Sequence, residues 1–404
     1  MKQFFVDLHI HIGRTKTGRP VKITGAKSLT IENILYEASF IKGMDMIGVI
    51  DCHVPEVLQE LKVLIEEEKV VEEEGGGLRF SNVTLILGSE IEVYDETCHG
   101  PIHVLAFFPT LAIMETFSGW LQERMKNITL STQRIYETGR NLQEKVKQLG
   151  GLFIPAHVFT PFKSLYGVGV NVSLTEILDP KLIDAVELGL SSNTEMADQL
   201  MELHQFTFLS NSDAHSLGKI AREYQAIRMD RPTFSELKLA LANKQDRKIF
   251  ANYGLDPRLG KYHRTTCAKC LTRLEDNWEC CPACGHKGMT KGVYERLLEL
   301  KMAQEKEQGH LVEKIKIEER PPYIHQVPLD FIPKLGPKTL EKLRDHFGTE
   351  MNIIHFVPKE ELQKIVSSCI AEMILQARKG ELSVTAGGGG RYGKVSKALE
   401  LNND

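Results

Sequence analysis

Phe4-Phe5-Val6-Asp7-Leu8-His9-Ile10-His11 is an apolar run carrying two histidines at i and i+2. In a strand that spacing puts both imidazoles on one face. Two neutral imidazoles on one face make half of a divalent-metal site. Four later stretches add the same kind of donor: Asp51-Cys52-His53, Gly88-Ser89-Glu90 with His103 beyond it, Pro155-Ala156-His157, and Ser212-Asp213-Ala214-His215. Taken alone, His9 and His11 read equally well as a hydrogen-bonded core pair. Together with Glu90, His103, His157, Asp213 and His215 they would leave too many buried polar groups unpaired, and a metal cluster removes that cost.

A second chemistry sits later in the chain. Cys267-x2-Cys270, a ten-residue gap and Cys281-Pro282-Ala283-Cys284 give two tight turns, each presenting two thiolates to one tetrahedral zinc. Cys280 or His286 could replace one ligand with poorer spacing, while Cys52, Cys98 and Cys369 are scattered, which argues against a disulfide framework. Further on, Leu329-Asp330-Phe331-Ile332-Pro333-Lys334-Leu335-Gly336-Pro337-Lys338-Thr339-Leu340-Glu341-Lys342-Leu343 resembles a helix-hairpin-helix, with an ordinary helical hairpin as the alternative. Gly336 lets backbone approach a phosphate, and the amides that open the next helix favour an anion. The expected DNA contacts are Lys334, Leu335, Gly336, Lys338, Thr339 and Lys342.

The donors follow or end short apolar runs such as Met46 to Ile50, Val83 to Leu87, Val104 to Phe107 and Leu152 to Ile154. Ligands at repeated strand ends describe one rim of a barrel, so residues 1–254 are expected to be a distorted (β/α) barrel of stacked β-α units. Helices are expected over Ile31 to Lys42 and in more than one piece between Thr110 and Gly151, with Trp120 and Tyr136 in the core. The glutamate-rich stretch 66–77 is expected to be a solvated helix end and flexible loop. His99 and His204 are expected at the surface or in the core, and Glu92, a pleat beyond Glu90, is a weak ligand candidate. The remaining expected units are a zinc ribbon at 255–290, a helical linker at 291–325, a hairpin domain at 326–382 and a flexible basic tail at 383–404.

At 404 residues and 42% hydrophobic content, the chain can bury one large core and something smaller. Residues 1–254 carry 26 basic against 33 acidic side chains, and 255–404 carry 24 against 21, which permits a polyanion-binding C-terminal part. No apolar run reaches the roughly 20 residues of a membrane span, and no signal-peptide pattern precedes the first strand. A cytoplasmic address, with no membrane partner, is expected. Gly388 to Val395 nearly spells a phosphate-binding loop, but Val395 stands where magnesium needs a hydroxyl. ATPase activity is therefore not expected.

In this order, Asp-x-His-x-His, Asp-x-His, Glu and His, a lone His and a final Asp-x-His resemble the polymerase and histidinol phosphatase (PHP) superfamily of phosphoesterases. With the cysteines and hairpin, the whole chain resembles the endonuclease Q family. The resemblance implies that His9, His11, Glu90 and Asp213 hold one metal, that Glu90 bridges to a second held by His103 and His157, and that His53 and His215 contribute to a third. The family commonly has a carboxylate or histidine where this chain has Thr17, which bears on the third metal. Two or three divalent cations (Zn, Mn or Mg) are thus expected, plus one structural Zn on Cys267, Cys270, Cys281 and Cys284. Asp7 and Asp51 are expected either to orient imidazoles through their free nitrogens or to make plain strand-end hydrogen bonds. The implied activity is hydrolysis of the DNA phosphodiester 5′ to deaminated bases (uracil, hypoxanthine, xanthine) or abasic sites. Glu90, Asp213 and His215 would be catalytic through a metal-bound hydroxide. The alternative is a PHP-type phosphatase or exonuclease tethered to DNA by its C-terminal modules, and a third is a nonenzymatic DNA-binding protein.

Overall fold

The computed structural model describes residues 1–260, 262–274, 278–308, 320–385 and 394–396. Its largest sheet is centred on Lys2–Ile10, which pairs parallel with Met46–Val49 and antiparallel with Tyr224–Met229. Met46–Val49 pairs in turn with Val83–Val93, followed by Ile102–Phe108 and Leu152–Pro155. The last two pairings are antiparallel, so the expected series of parallel β-α units holds only in part. Only residues 94–101 separate Val93 from Ile102, fewer than the dozen or more that a parallel crossover needs.

Val186–Glu187 and Phe208–Leu209 form a short parallel pair beyond Leu152–Pro155. The chain after them returns to the first strand, where the Ala214 amide donates to the His9 carbonyl and the His11 amide to the Ala214 carbonyl, each at 3.1 Å. The strands thereby close into a distorted barrel. Its interior is filled by Val6, Leu8, Met46, Ile86, Leu105, Phe107, Ile154 and Leu209.

A β-bulge in the first strand sets the direction of the histidines. From Asp7 to Ile10 this strand advances three residues while its neighbour advances two, Ile47 to Val49. Val6 and Leu8 face the interior, whereas Ile10 and Ile12 pack in the outer apolar layer. The extra residue reverses the pleat, so His9 and His11 also turn inward, above Leu8. Gly48 makes room for this: a Cβ there would stand 2.4 Å from the Leu8 carbonyl oxygen.

The helical stretch between Thr110 and Gly151 is two helices, Leu111–Gln122 and Gly139–Gln148, each capped by a threonine side chain. Between them runs the short strand Arg134–Ile135. Tyr136 is 52% exposed rather than in the core, while Trp120 packs partly buried against it. The 66–77 stretch is more ordered than expected, because Val71–Glu72 and Leu78–Phe80 pair as a hairpin. Ile31 to Lys42 is helical throughout, with its second half a π-helix.

The later units pack onto the barrel. The expected linker contains the helix Val293–Gln308, and its last residues form the strand Tyr323–His325, which pairs with Lys248–Gly254. Lys42 Nζ lies 2.9 Å from Glu350 Oε2 with both side chains buried. Removing one partner alone would strand a charge, at a cost of about 3–5 kcal/mol. The helices Pro337–Phe347, Glu350–His355, Lys359–Ile365 and Ser368–Lys379 enclose a separate core around Leu343, Ile353, Leu362 and Ile374. In the expected tail, Ser383–Thr385 pairs with Lys394–Ser396; residues 386–393 and 397–404 lie outside the described residues. No helix among the described residues is long and apolar enough to cross a membrane.

Candidate metal centre and zinc site

Glu90 stands at the middle of the histidines. Its Oε1 lies 3.0 Å from His103 Nδ1, 3.3 Å from His157 Nε2 and 3.6 Å from His9 Nε2, and its Oε2 lies 3.5 Å from His11 Nε2. Asp213 Oδ1 is 3.6, 3.5 and 3.3 Å from the Nε2 atoms of His9, His11 and His215. Three groups therefore have donor atoms close enough to share a cation: His9, His11 and Glu90; Glu90, His103 and His157; His11, Asp213 and His215. His157 and Asp213 both hold a left-handed backbone, at φ 30° and 44°. Non-glycine residues rarely adopt it, and such strain is found where side-chain aim matters.

His53 lies outside these groups. It is fully buried, with Nδ1 2.8 Å from Ser89 Oγ, and its Nε2 has no hydrogen-bond partner. Thr17 bonds Glu56, away from the cluster. Glu92 is 3.6 Å from His103 Nε2 but pairs with Lys163 at 2.8 Å. His99 bonds Asn171 at the surface, and His204 meets the Asp198 carbonyl.

The residues fit divalent cations. His9 Nε2, both nitrogens of His103 and His215 Nε2 are buried without a hydrogen-bond partner, a costly arrangement that a Lewis acid among them would relieve. The charges agree. Burial opposes ionisation of Glu90, yet Lys22 and His103 hold its carboxyl well below the usual carboxylate range. Asp213 is likewise held well below it, against burial, by the adjacent imidazoles of His11 and His215 and then by His9. Burial disfavours a charged His9, but Glu187, then Asp213 and Glu90, outweigh it and raise its pKa to about 10. The site demands positive charge at this place, from a proton or from a metal ion.

The outer partners are only partly those expected. Asp51 Oδ2 lies 3.1 Å from His11 Nδ1 and accepts the Ile12 amide at 2.7 Å. Asp7 touches no imidazole. It accepts the backbone amides of His9, Ser212 and Ala221, fastening the closing segment to the first strand. The carboxylate on His9 is Glu187, 3.0 Å from Nδ1, which also accepts the His157 amide and the Asn211 side chain. Lys22 is the other unforeseen member, with Nζ 3.3 Å from Glu90 Oε2 and 2.7 Å from Thr132 Oγ1.

The sulfurs of Cys267, Cys270, Cys281 and Cys284 all lie within 4.8 Å of one another. Cys270 and Cys281 are 3.3 Å apart and Cys267 and Cys284 3.6 Å, close to the about 3.8 Å between ligands on a tetrahedral ion with 2.3 Å bonds. All eight cysteines are free thiols, and Cys280 and His286 stay out of the group. The hairpin's first limb is a single 3-10 turn, Leu329–Phe331. Lys334 follows at φ 69°, the conformation a glycine would take, and Gly336 caps the helix Pro337–Phe347. Lys334, Gly336, Lys338 and Lys342 are exposed, Thr339 is half-buried, and Leu335 is buried beneath them.

No family model matches the sequence. The chain is 55% identical over 395 residues to the uncharacterised protein YqxK of Bacillus subtilis, covering 98% of this chain and all of that one. It also resembles a longer uncharacterised protein of Methanocaldococcus jannaschii, 40% identical over 263 residues, or 59% of this chain and 31% of that one. The solved structure of the lesion-specific endonuclease Q of Pyrococcus furiosus superposes with a TM-score of 0.83 at 30% identity, covering 100% of this chain and 97% of that one. The chain belongs to the endonuclease Q family. A second endonuclease Q structure, bound to a 27-mer duplex with an abasic lesion at the active site, matches at TM-score 0.81 and 30% identity over 100% and 98% of the two chains. As a member of the endonuclease Q family, this chain is an enzyme of the metal-dependent phosphodiesterase class.

Sequence signals for Glu187 and Lys22 are slight. Glu187 ends the short apolar run Ala185-Val186, as Glu90 ends a longer one. Lys22 and Thr132 come from loops with no periodicity to mark them.

Proposed function

We propose that this chain is a DNA-repair endonuclease that cuts the phosphodiester on the 5′ side of deaminated bases (uracil, hypoxanthine, xanthine) or abasic sites. The observation that carries this reading is the end-to-end likeness to an endonuclease Q holding an abasic duplex, joined to a cluster in which Glu90 can serve two cation sites at once. Two or three divalent cations there would lower the pKa of a water and neutralise charge on the phosphate. His9, His11, Glu90 and Asp213 would hold one cation, His103 and His157 a second with Glu90 shared, and His215 another with Asp213. Glu187 and Asp51 engage the Nδ1 atoms of His9 and His11 and so leave Nε2 for the centre. Lys22 adds a fixed positive charge beside Glu90, where a phosphate oxygen would arrive.

The hairpin supports affinity rather than choice of base. Exposed Lys334, Lys338 and Lys342 with the Gly336 backbone suit phosphates, which carry no sequence. Cleavage of end-labelled duplexes carrying one uracil, hypoxanthine, xanthine or abasic site, against an undamaged duplex, with and without chelator, tests the reading. Cation-dependent nicks 5′ to the lesion are expected. Release of phosphate or stepwise shortening from an end would instead place the chain with phosphatases or exonucleases.

A further inference from the structure

The segment 131–136 starts on the metal centre and ends on the surface. Ser131 Oγ lies 3.2 Å from His11 Nδ1 and the Thr132 hydroxyl donates to Glu90. Arg134 and Ile135 then pair in parallel with Glu92 and Val93, on the strand that carries Glu90. At the end of this rail the Arg134 guanidinium sits over the ring of Tyr94 at 4.8 Å and that of Tyr136 at 5.4 Å, and Lys126 lies over Tyr136 at 5.6 Å. Tyr94 is 38% and Tyr136 52% exposed, and Arg134 and Lys126 are exposed too.

Two exposed tyrosines with interleaved cations, each just past the end of one of two paired strands that lead out of a phosphodiesterase centre, suit one kind of partner. Nucleobases stack on aromatic faces and on guanidinium planes, and the cations answer the backbone charge. Tyr94 lies four residues beyond Glu90, or about 13 Å along an extended chain. At duplex rise that is the span of about four nucleotides, and an unpaired strand that is more extended covers it with fewer.

We propose that Tyr94, Arg134 and Tyr136 form a stacking platform for unpaired nucleotides of the strand being cut, a few positions from the scissile phosphate. The proposal rests on the DNA-endonuclease reading. The platform is blind to base identity and holds the strand open beside the lesion.

The test uses the full chain in chelator with single-stranded oligonucleotides containing one abasic site and one 2-aminopurine, walked along either side of it. Quenching is expected a few nucleotides from the lesion on one side only. Tyr94→Ala/Tyr136→Ala should abolish that quenching and weaken binding by roughly five- to a hundredfold for each base left unstacked, while Tyr94→Phe/Tyr136→Phe retains both. Quenching and affinity unchanged in the alanine protein overturn the platform. Cleavage of abasic duplex by the wild-type protein is read in parallel: if it cuts but the tyrosines do not matter, only the platform falls, and if it neither cuts nor binds, the endonuclease reading falls with it.

Discussion

His9 Nδ1 lies 3.0 Å from Glu187 Oε1, across 178 positions of sequence. One carboxylate thus aims a donor on the first strand and, through the His157 amide, the loop bearing another. Glu187→Gln keeps an acceptor but removes the charge. Cation affinity is expected to fall by about 10–100-fold with the fold and the cysteine-bound zinc unchanged, measured by calorimetric titration of chelator-treated protein. Equal affinity in the variant would leave Glu187 a purely structural role.

Asp213 and Cys281 belong to different clusters, so their loss should look different. Asp213→Asn should keep the fold and DNA binding and lose cleavage by more than about a hundredfold, since it takes the charge from a direct donor rather than from an outer partner. Cys281→Ser should cost one zinc and loosen the C-terminal part. Metal analysis and a cleavage assay on both proteins check this. Wild-type cleavage rates in Asp213→Asn with cations supplied would refute the assignment.

Lys334 holds a left-handed backbone at the hairpin, which costs a residue with a Cβ about 1–2 kcal/mol. Lys334→Gly should therefore raise stability by up to about that amount while weakening DNA binding. The double variant Lys334→Ala/Lys338→Ala should lower the slope of log affinity against log salt by about one for each phosphate left without its cation. Damaged and intact duplexes should weaken alike. Anisotropy across a salt series gives the answer, and an unaltered slope would move the DNA footprint elsewhere.

His355 stacks on Phe5 at 4.4 Å between ring centroids and lies 2.6 Å from the Tyr224 hydroxyl. Burial, with help from Arg378, lowers its pKa to about 3. An unfolded histidine takes a proton below about pH 6.5, but the folded one stays neutral to about 3. Between those values the unfolded state binds more protons, so stability should fall as pH drops, by up to about 1.4 kcal/mol per pH unit. Urea midpoints from pH 7 to 5 should decline less steeply in His355→Phe. Parallel curves for the two proteins would show that His355 is protonated while folded.

Reading a deaminated base in a duplex requires taking it out of the stack, which costs least where pairing is weak. Uracil opposite guanine, or in single-stranded DNA, should be cut faster at limiting enzyme than uracil opposite adenine. The nick should stay on the 5′ side throughout. Single-turnover cleavage of strands differing only in the opposing base measures this, and equal rates with chemistry limiting would rule out base extrusion as the selecting step.

Much of the centre is legible in the sequence because its donors lie within or just beyond short apolar runs, with His9 and His11 two residues apart on one strand. His9 and His11 share a face, and Glu90, His103, His157, Asp213 and His215 converge on it. The four-cysteine cluster follows from local turn geometry in the same way. The rest depends on long-range closure: the inward turn of His9 needs the bulge over Gly48, and Glu187 meets His9 only once the barrel is shut. Hydrophobicity alone would place Tyr136 inside, yet the strand Arg134–Ile135 carries it to the surface.

The strand Tyr323–His325 has a consequence for how the chain is made. On the ribosome, the barrel sheet stays open along Asn252–Gly254 until residue 325 has emerged, long after the centre's last donor, His215. During that interval the nascent protein carries an unpaired edge, the feature that invites pairing with a neighbouring chain. A fragment ending at Gly254 would keep that exposed edge permanently, so aggregation rather than loss of chemistry is its expected failure.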